Sequence, residues 1–212
     1  MTTRISAILL AAGLSSRLGR NKLLASLGGK AAVRRVAEAA LASKAAEVVV
    51  VTGHEREGVE AALAGLSVTL VHNPDFESGQ ASSLVAGVRA AAPEADGYLF
   101  ALGDQPLIGT GLIDELIEIF ALSDATLAAA PVINGRRGNP ALISASLKAE
   151  LEALRGDEGA RGIIKTIENE SPSRFMTVVC GAEEMFWDID TEEDFERVRA
   201  RIENTRKKLE DA

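Results

Sequence analysis

The sequence predicts an α/β fold: a Rossmann-like three-layer sandwich whose central sheet is mostly parallel. Two observations support this prediction. Near-continuous apolar segments rich in β-branched residues alternate with helical patterns, which is typical of a parallel sheet covered by helices on both faces. The chain has 212 residues, of which 47% are hydrophobic, and is therefore long enough to bury one substantial core. We expect a single domain over residues 1–212.

Strands and helices are predicted to alternate along the first part of the chain. The predicted strands are Ser6–Ala11, Glu47–Thr52, Val68–His72, Gly97–Ala101 and Thr126–Pro131. The predicted helices are Ala31–Ala42, Glu55–Leu63, Ser82–Ala92 and Gly109–Phe120. Because ligands of open α/β sheets bind beyond the carboxyl ends of the strands, we expect each part of a site to follow a strand.

The second part of the chain is less regular. Further strands are predicted at Ala141–Ile143, Phe175–Val179 and Phe186–Asp190. A charged helix is predicted from Thr191 to Leu209, with Thr191 as its N-cap and Asp194 as the reciprocal member of a capping box.

The net charge of −8 is distributed unevenly. The first thirty-five residues contain seven Lys and Arg and no acidic residue, whereas residues 183–196 contain eight acidic residues and no basic one. Two interpretations are open: the two segments meet at a site that binds an anion and a metal cation, or both are solvated surface. The acidic balance argues against general nucleic-acid binding.

The composition also indicates the cellular compartment in which we expect the protein. Cys180 is the single cysteine, which excludes an internal disulfide framework and suits a reducing cytosol. The N-terminal apolar run lacks a signal-peptide cleavage pattern, and no window approaches the roughly 20 apolar residues that span a bilayer. We therefore expect a cytoplasmic protein without a membrane segment. His54 and His72 have no partner at metal-ligand spacing, and no pattern supplies a covalent nucleophile.

A glycine-rich turn follows the first predicted strand. Gly13 and Gly19 flank the residues Leu-Ser-Ser-Arg-Leu, and glycines at such a turn let backbone N–H groups approach phosphate oxygens. The spacing matches neither the Walker A motif nor the dinucleotide fingerprint G-x-G-x-x-G. The turn is therefore a candidate phosphate loop carrying Arg17 and Lys22, the alternative being a tight turn with solvent-facing basic residues.

Carboxylates follow two other predicted strands. Asp104 comes directly after a buried strand, where a lone carboxylate suits Mg²⁺, a cation that takes its remaining ligands from water and phosphate. Asp188 and Asp190 occupy alternate positions of a predicted strand and so share one face. The alternative for all three residues is helix capping or a turn.

Three further segments are candidates for substrate contacts. The start of a predicted helix carries Gly79, Gln80, Ser82 and Ser83, which suits a base or ribose, or serves only as an N-cap. A predicted loop for an anionic second substrate contains Arg136, Arg137, Gly138, Asn139 and Pro140. A second predicted loop contains Gly156, Asp157, Gly159, Ala160 and Arg161. From the residues alone, the alternative for both loops is an ordinary surface loop.

The first of these motifs resembles the signature of the nucleotidyltransferases that act on the molybdenum cofactor, L-x-A-A-G-x-S-x-R-x-G-x-x-K. The matching residues are Leu9, Ala11, Ala12, Gly13, Ser15, Arg17, Gly19 and Lys22. The Ala-Ala-Gly triplet resembles the cytidylyltransferase branch of that family. Motifs similar to the family's G-Q-x-x-S-L, G-D-x-P and G-D-x-G-A-R follow in this order, so the resemblance extends from Ile8 to Phe195. Gln105 departs from the methionine common among cytidylyltransferases.

This resemblance implies a fold like that of the nucleotide-diphospho-sugar transferases and a Mg²⁺-dependent transfer of CMP from CTP to a molybdopterin-type cofactor, with release of pyrophosphate. The implied catalytic residues are Arg17, Lys22 and Asp104, and the implied metal ligands are Asp104, Asp188 and Asp190. The implied nucleotide-binding residues are Leu10, Ala11, Ala12, Gly13, Ser15, Ser16, Arg17, Lys22, Gly79, Gln80, Ser82 and Ser83. The implied substrate-binding residues are Arg136, Arg137, Gly138, Asn139, Pro140, Asp157 and Arg161.

The resemblance also implies a transient complex with a molybdenum hydroxylase or its chaperone. Three alternatives remain within or beside the family: a guanylyltransferase, another cytidylyltransferase or sugar-phosphate nucleotidyltransferase of the same fold, and a non-catalytic carrier of molybdenum cofactor. A nicotinamide oxidoreductase is disfavoured because the glycine fingerprint is missing.

Overall fold

A computed structural model describes residues 3–15, 18–157 and 159–210. Its strands are β1 Ile5–Ala11, β2 Ser26–Leu27, β3 Lys30–Ala31, β4 Glu47–Thr52, β5 Thr69–His72, β6 Gly97–Leu102, β7 Ala128–Ile133, β8 Arg136–Arg137, β9 Ala141–Ser144 and β10 Phe175–Val179. Its α-helices are α1 Ala32–Leu41, α2 Arg56–Ala62, α3 Gln80–Ala90, α4 Thr110–Phe120, α5 Lys148–Ala153, α6 Arg161–Glu170 and α7 Glu192–Glu210. The 3-10 helices are Lys22–Leu24, Phe76–Ser78, Ala145–Leu147, Pro172–Arg174 and Glu183–Phe186.

The central sheet has the strand order β10-β7-β9-β6-β1-β4-β5, with β8 added to β7. Strands β5, β4, β1 and β6 run parallel to one another, and β7 runs parallel to β10. Strand β9 lies antiparallel between β6 and β7. The predicted mostly parallel sheet is confirmed, and the carboxyl ends of β1, β4, β5 and β6 lie at one edge.

Side chains of the central strands fill two apolar layers, one on each face of the sheet. Successive residues of a strand point to opposite faces, so Leu9 and Ile8 belong to different layers. Leu9 shares its layer with Val36 of α1 and Ile113 of α4, whereas Ile8 shares its layer with Leu84 of α3. The predicted three-layer arrangement is therefore confirmed.

Most predicted elements agree with the structure to within two residues at each end, and the capping box of α7 is present. The Thr191 hydroxyl accepts a hydrogen bond from the Asp194 backbone N–H at 3.2 Å, and the Asp194 carboxylate accepts one from the Thr191 backbone N–H at 3.0 Å. Helices α5 and α6 were not predicted. In the part of the chain that the structure describes, none of the helices is long and apolar enough to cross a bilayer.

Two predictions for the second part of the chain are wrong. Residues 186–190 do not form a strand: Glu183–Phe186 is a 3-10 helix, and 187–190 have no regular secondary structure. The backbone N–H of Ile189 donates instead to the Asp104 carbonyl, at 3.1 Å, and the Ile189 side chain is fully buried.

The segment Arg136–Arg137 is not a loop but the short strand β8. Asn134 and Gly135 both have positive φ, 48° and 72°, as a two-residue hairpin turn requires. The turn folds Arg136 back to pair with Ile133, so the hairpin holds the two arginines in the sheet.

Candidate active site

A cavity of about 330 Å³ lies at the carboxyl ends of the parallel strands. Its walls come from the segments that follow β1, β5 and β6 and from the 3-10 helix Lys22–Leu24. The lining residues are Leu10, Ala12, Gly13, Leu14, Lys22, Leu23, Phe76, Glu77, Gly79, Gln80, Ser83, Leu102, Asp104 and Asp157. The cavity therefore lies where the fold places ligand sites, and it joins four of the predicted motifs.

The side chain of Lys22 is held between two carboxylates. Its Nζ lies 2.6 Å from Asp104 Oδ2 and 2.7 Å from Asp190 Oδ1. The three side chains are 15%, 16% and 20% exposed, respectively, so the cluster is largely withdrawn from water. Asp190 lies 168 positions after Lys22, and the fold alone brings the two residues together.

Local hydrogen bonds fix the backbone that carries Lys22. The Lys22 backbone N–H donates to Ser15 Oγ at 3.2 Å. Asn21 caps the 3-10 helix, because its Oδ1 accepts from the Leu23 backbone N–H at 3.0 Å. Sequence analysis missed the role of Asn21, although an asparagine before a helical turn is an N-cap signal.

The charges of the cluster shift two pKa values. Burial alone would lower the pKa of Lys22, but the charges and hydrogen bonds of Asp104 and Asp190 outweigh burial and raise it, so the ammonium stays protonated. The pKa of Asp188 is raised, first because its carboxyl is partly shielded from water and then because Asp190 and Asp104 are negatively charged. Asp188 therefore lies within the electrostatic reach of the cluster.

Asp104 is the residue that best indicates whether these carboxylates suit a metal ion. Its Oδ2 contacts Lys22, whereas its Oδ1 is buried and has no hydrogen-bond partner among the described residues. A buried carboxylate oxygen without a donor suits a hard cation. Within residues 3–15, 18–157 and 159–210, however, no group of three or more His, Cys, Asp or Glu side chains is already arranged as a metal site.

The start of α3 meets the loop around residue 156. Gly79 has φ 114°, and a Cβ there would lie 2.5 Å from the Gly156 carbonyl and 2.7 Å from the Asp157 carboxylate. The Gly156 carbonyl accepts a hydrogen bond from the Ala81 backbone N–H at 3.0 Å. A side chain at residue 79 would separate the two segments, so two of the predicted motifs are packed together at the cavity wall.

The two predicted serines of α3 differ in position. Ser83 lines the cavity, and its Oγ accepts a hydrogen bond from Asn73 Nδ2 at 2.9 Å. Ser82 lies instead against the carbonyl oxygens of Asp75 and Gly79, at 3.0 and 2.8 Å, and lines a separate cavity of about 520 Å³. The structure does not bring Ser82 into the 330 Å³ cavity.

In the first motif, Leu10, Ala12 and Gly13 line the cavity, whereas Ala11 is buried in β1. Ser16 and Arg17 lie outside the described residues.

The predicted acceptor residues fall into two groups. Asn139 and Arg161 line a small space of about 60 Å³ that shares Leu10 and Gln80 with the main cavity. On β8, Arg136 is exposed, and Arg137 forms an ion pair with Glu168 at 3.1 Å.

Gly138 and Pro140, which lie in the same segment as Arg136 and Arg137, have structural roles. The ring of Phe186 packs against Gly138, and Pro140 is buried after a cis peptide bond. The structure thus places Asn139, Asp157 and Arg161 beside the candidate site, and neither Arg136 nor Arg137 lines the cavity.

Sequence analysis missed the contribution of Phe76 and Glu77, which line the cavity just before Gly79. No motif marks them, because only the return of the chain after β5 brings them there. Gln105 also has a structural role: its side chain is buried, and its Nε2 donates to the Phe186 carbonyl at 3.3 Å. This contact ties the Asp104 turn to the segment that leads to Asp190.

A larger cavity, of about 680 Å³, lies between α1, the segment after Gln105 and α7. Its wall includes Arg35, Met185 and Ile202 and none of the predicted site residues. We place the candidate active site in the smaller cavity, because its described lining brings together Gly13 of the glycine loop, Lys22 and Asp104.

The sheet is mostly parallel, and a glycine loop, a lysine and strand-end carboxylates lie at one edge of it. These features, together with the solved structures of the same fold, define the class of protein: a nucleotidyltransferase with a nucleotide-diphospho-sugar transferase-like fold. Residues 7–172 match the MobA-like NTP transferase domain, and the chain belongs to this family. The family predicted from the sequence motifs is confirmed.

Two curated relatives extend over nearly the whole chain. Nicotine blue oxidoreductase of Paenarthrobacter nicotinovorans is 33% identical over 202 residues, which cover 92% of this chain and 96% of that protein. Purine catabolism protein PucB of Bacillus subtilis is 31% identical over 200 residues, 91% of this chain and 94% of the relative.

Solved structures share the fold. A nucleotidyl transferase from Methanothermobacter superposes with a TM-score of 0.82 at 28% identity, covering 95% of this chain and 99% of the other. Rv0371c from Mycobacterium tuberculosis superposes with a TM-score of 0.79 at 25% identity, covering 94% of this chain and all of the other.

Proposed function

We propose that the protein, as one nucleotidyltransferase domain over residues 1–212, transfers CMP from CTP to a molybdopterin-type molybdenum cofactor and releases pyrophosphate. The observation that carries the proposal is the position of Lys22, held by Asp104 and Asp190 beside the glycine loop of a MobA-like domain. A carrier of the cofactor would not need this charged cluster, which is largely withdrawn from water.

In the proposed reaction, a terminal phosphate oxygen of the cofactor attacks the α-phosphorus of CTP in line. A new P–O bond forms, the bond between the α-phosphorus and its bridging oxygen breaks, and pyrophosphate leaves with the electron pair. The attacking phosphate is already ionised near neutral pH, so no strong general base is required. Catalysis then consists of positioning and of electrostatic stabilisation of the developing charge.

The residues of this chain supply that stabilisation. Backbone N–H groups around Gly13 approach the phosphates, and the ammonium of Lys22 follows the charge that develops on the α-phosphate and the leaving pyrophosphate. We assign the same role to Arg17, which lies outside the described residues. We assign contacts with the base and ribose to Gly79, Gln80 and Ser83.

We further propose that Asp104 and Asp190, with Asp188 nearby, would hold Mg²⁺. When bound, the ion would neutralise charge on the nucleotide phosphates. The unpartnered Oδ1 of Asp104 supports this assignment. The mycobacterial relative Rv0371c has also been solved in complex with manganese.

For the acceptor, we propose Asn139, Asp157 and Arg161 as contacts, because they lie beside the cavity. Arg136 and Arg137 remain proposed contacts only for a part of the acceptor that extends beyond the cavity. We also propose that the protein works in the cytoplasm and passes its product to a molybdenum hydroxylase or to its chaperone.

A second candidate function comes from a relative. The protein that is 33% identical over 96% of its own length bears the name of an oxidoreductase. The chain lacks the dinucleotide fingerprint, so we place this candidate second. The test is oxidation of NADH or NADPH by the purified protein with a quinoid acceptor, measured as a loss of absorbance. Observed oxidation would make the oxidoreductase the preferred candidate function.

The experiment that tests the proposed function is pyrophosphate release with Mg²⁺ and molybdenum-loaded molybdopterin, comparing CTP, GTP and ATP. Release with CTP alone would support the reaction and the base. Release with GTP would keep the mechanism and make the protein a guanylyltransferase. No release with any nucleotide, with cofactor shown to be intact, would favour another acceptor, such as a sugar phosphate, or a carrier.

A further inference from the structure

The space between Asp104 and Asp190 is filled by the chain's own ammonium group. Lys22 Nζ contacts one oxygen of each carboxylate, at 2.6 and 2.7 Å. A cation bridging these two oxygens would occupy the place that the ammonium holds. The two carboxylates that lie closest to a possible cation position are therefore already neutralised in part by Lys22.

We propose that Lys22 is an internal counter-ion that keeps a divalent cation away from Asp104 and Asp190 until a nucleoside triphosphate is bound, so that metal and nucleotide bind together. This inference rests on the proposed function, since it presumes that the cavity takes a triphosphate with its metal. It adds that Lys22 controls when the carboxylates become ligands.

Charge balance supports the coupling. With metal alone, the cation and the Lys22 ammonium would share the carboxylates of Asp104 and Asp190, and the two cations would repel each other. With nucleotide alone, a Lys22 drawn to the phosphates would remove its positive charge from between the two carboxylates, which would then face a polyanion. With both present, the metal lies against the carboxylates and the ammonium lies against the phosphates, so each of these groups keeps an opposite charge beside it in a site that is largely withdrawn from water.

The structure also allows Lys22 to change partners without refolding. Its backbone is fixed through Ser15 and the Asn21 cap, whereas the carboxylates are reached only by the flexible four-carbon side chain. Gly13 of the glycine loop and Lys22 line the same cavity, so phosphates bound at that loop lie within the same enclosed space as the ammonium. The buried Oδ1 of Asp104 has no competing donor to retain it among the described residues.

The test measures the binding of Mn²⁺ in the absence of nucleotide. The electron paramagnetic resonance signal of free Mn²⁺ gives the fraction that is not bound. Lys22→Met should bind Mn²⁺ at least about tenfold more tightly than wild type, because a contacting charge in a part-buried site contributes more than the roughly 1.4 kcal/mol that tenfold represents. Lys22→Arg, which keeps the charge, should bind as weakly as wild type. Lys30→Met removes a lysine paired with Glu38 outside the cavity and is the matched control.

Tighter binding in Lys22→Met that is lost again in Lys22→Met/Asp104→Asn supports the inference and locates the metal. Equal Mn²⁺ affinity in wild type, Lys22→Met and Lys30→Met overturns it. Because this measurement involves no turnover, its failure is separate from that of the proposed function: a wild type that still releases pyrophosphate would keep the function and lose only the counter-ion role.

A measurement on wild type covers the case in which Lys22→Met does not fold. Isotope-edited NMR of the lysine Nζ groups follows Lys22 during titration with Mg²⁺ alone and then with Mg²⁺ and an unreactive CTP analogue. A Lys22 signal that shifts only in the second titration supports the inference. A signal that shifts to the same extent with Mg²⁺ alone, or that stays constant while other signals report binding of the analogue, overturns it.

Discussion

Replacing Asp104 by Asn separates the catalytic role of the carboxylate from its structural role. The amide keeps the shape of the side chain and removes the negative charge that contacts Lys22 at 2.6 Å. Removing one partner of a buried ion pair costs about 3–5 kcal/mol when the remaining charge is left unpaired. Here Lys22 keeps Asp190 at 2.7 Å, so we expect a loss of only about 1–2 kcal/mol in the free energy of unfolding.

Because domains of this size have stabilities of about 5–15 kcal/mol, Asp104→Asn should remain folded. Turnover should nevertheless fall by about 10²-fold or more, since the charge is proposed to hold the metal that stabilises the transition state. Pyrophosphate release at saturating CTP measures turnover, and urea unfolding measures stability. Asp114→Asn is the matched control, because Asp114 accepts a hydrogen bond from the Lys44 backbone outside the cavity. An Asp104→Asn protein with turnover near that of Asp114→Asn would refute the assignment.

Three further predictions address the lysine, the cavity wall and the final helix. Lys22→Ala should lower turnover by about 10²-fold or more, and a change confined to the KM for CTP would argue against transition-state contact. Gly79→Ala should lower the free energy of unfolding by about 1–3 kcal/mol, because its Cβ would collide with the Gly156 carbonyl; Gly109→Ala, with open space around it, is the control for urea unfolding. Thr191→Ala should cost about 1 kcal/mol through the lost capping box, and an unchanged thermal midpoint would contradict this.

The sequence predicted those parts of the fold whose signal lies within the segment itself. Strands such as β4, whose residues are nearly all buried, read as continuous β-branched runs because both faces of the sheet are covered. The turn after β1 and the aspartate after β6 were also predicted from a local signal. In both cases a Gly or Asp directly after an apolar run indicates the carboxyl end of a strand. The α7 cap is likewise a local signal, contained in the four residues Thr191–Asp194.

The parts that were not predicted depend on contacts distant in sequence. A strand is predicted at Phe186–Asp190, but the Ile189 backbone N–H donates to the Asp104 carbonyl and the Ile189 side chain is buried with Leu27 and Phe195. A strand also needs a neighbouring strand, which residues 187–190 do not have in the described structure. For Arg136, the preceding residues Asn134 and Gly135 are a local hairpin signal, and this part of the fold is predictable from the sequence.

The uneven charge distribution acquires a physical meaning only in the fold. Among the described residues, oppositely charged side chains of the basic N-terminal segment and the acidic distal segment form two ion pairs: the largely buried contact of Lys22 with Asp190, and the exposed pair of Arg20 with Glu192 at 2.9 Å. The exposed pair is screened by solvent and contributes little to stability, which agrees with the solvated-surface interpretation. The contact of Lys22 with Asp190 is different, because separating its charges costs free energy in a site largely withdrawn from water. A ligand that offers both an anion and a cation can replace both partners at once, and a metal-bound nucleoside triphosphate offers both.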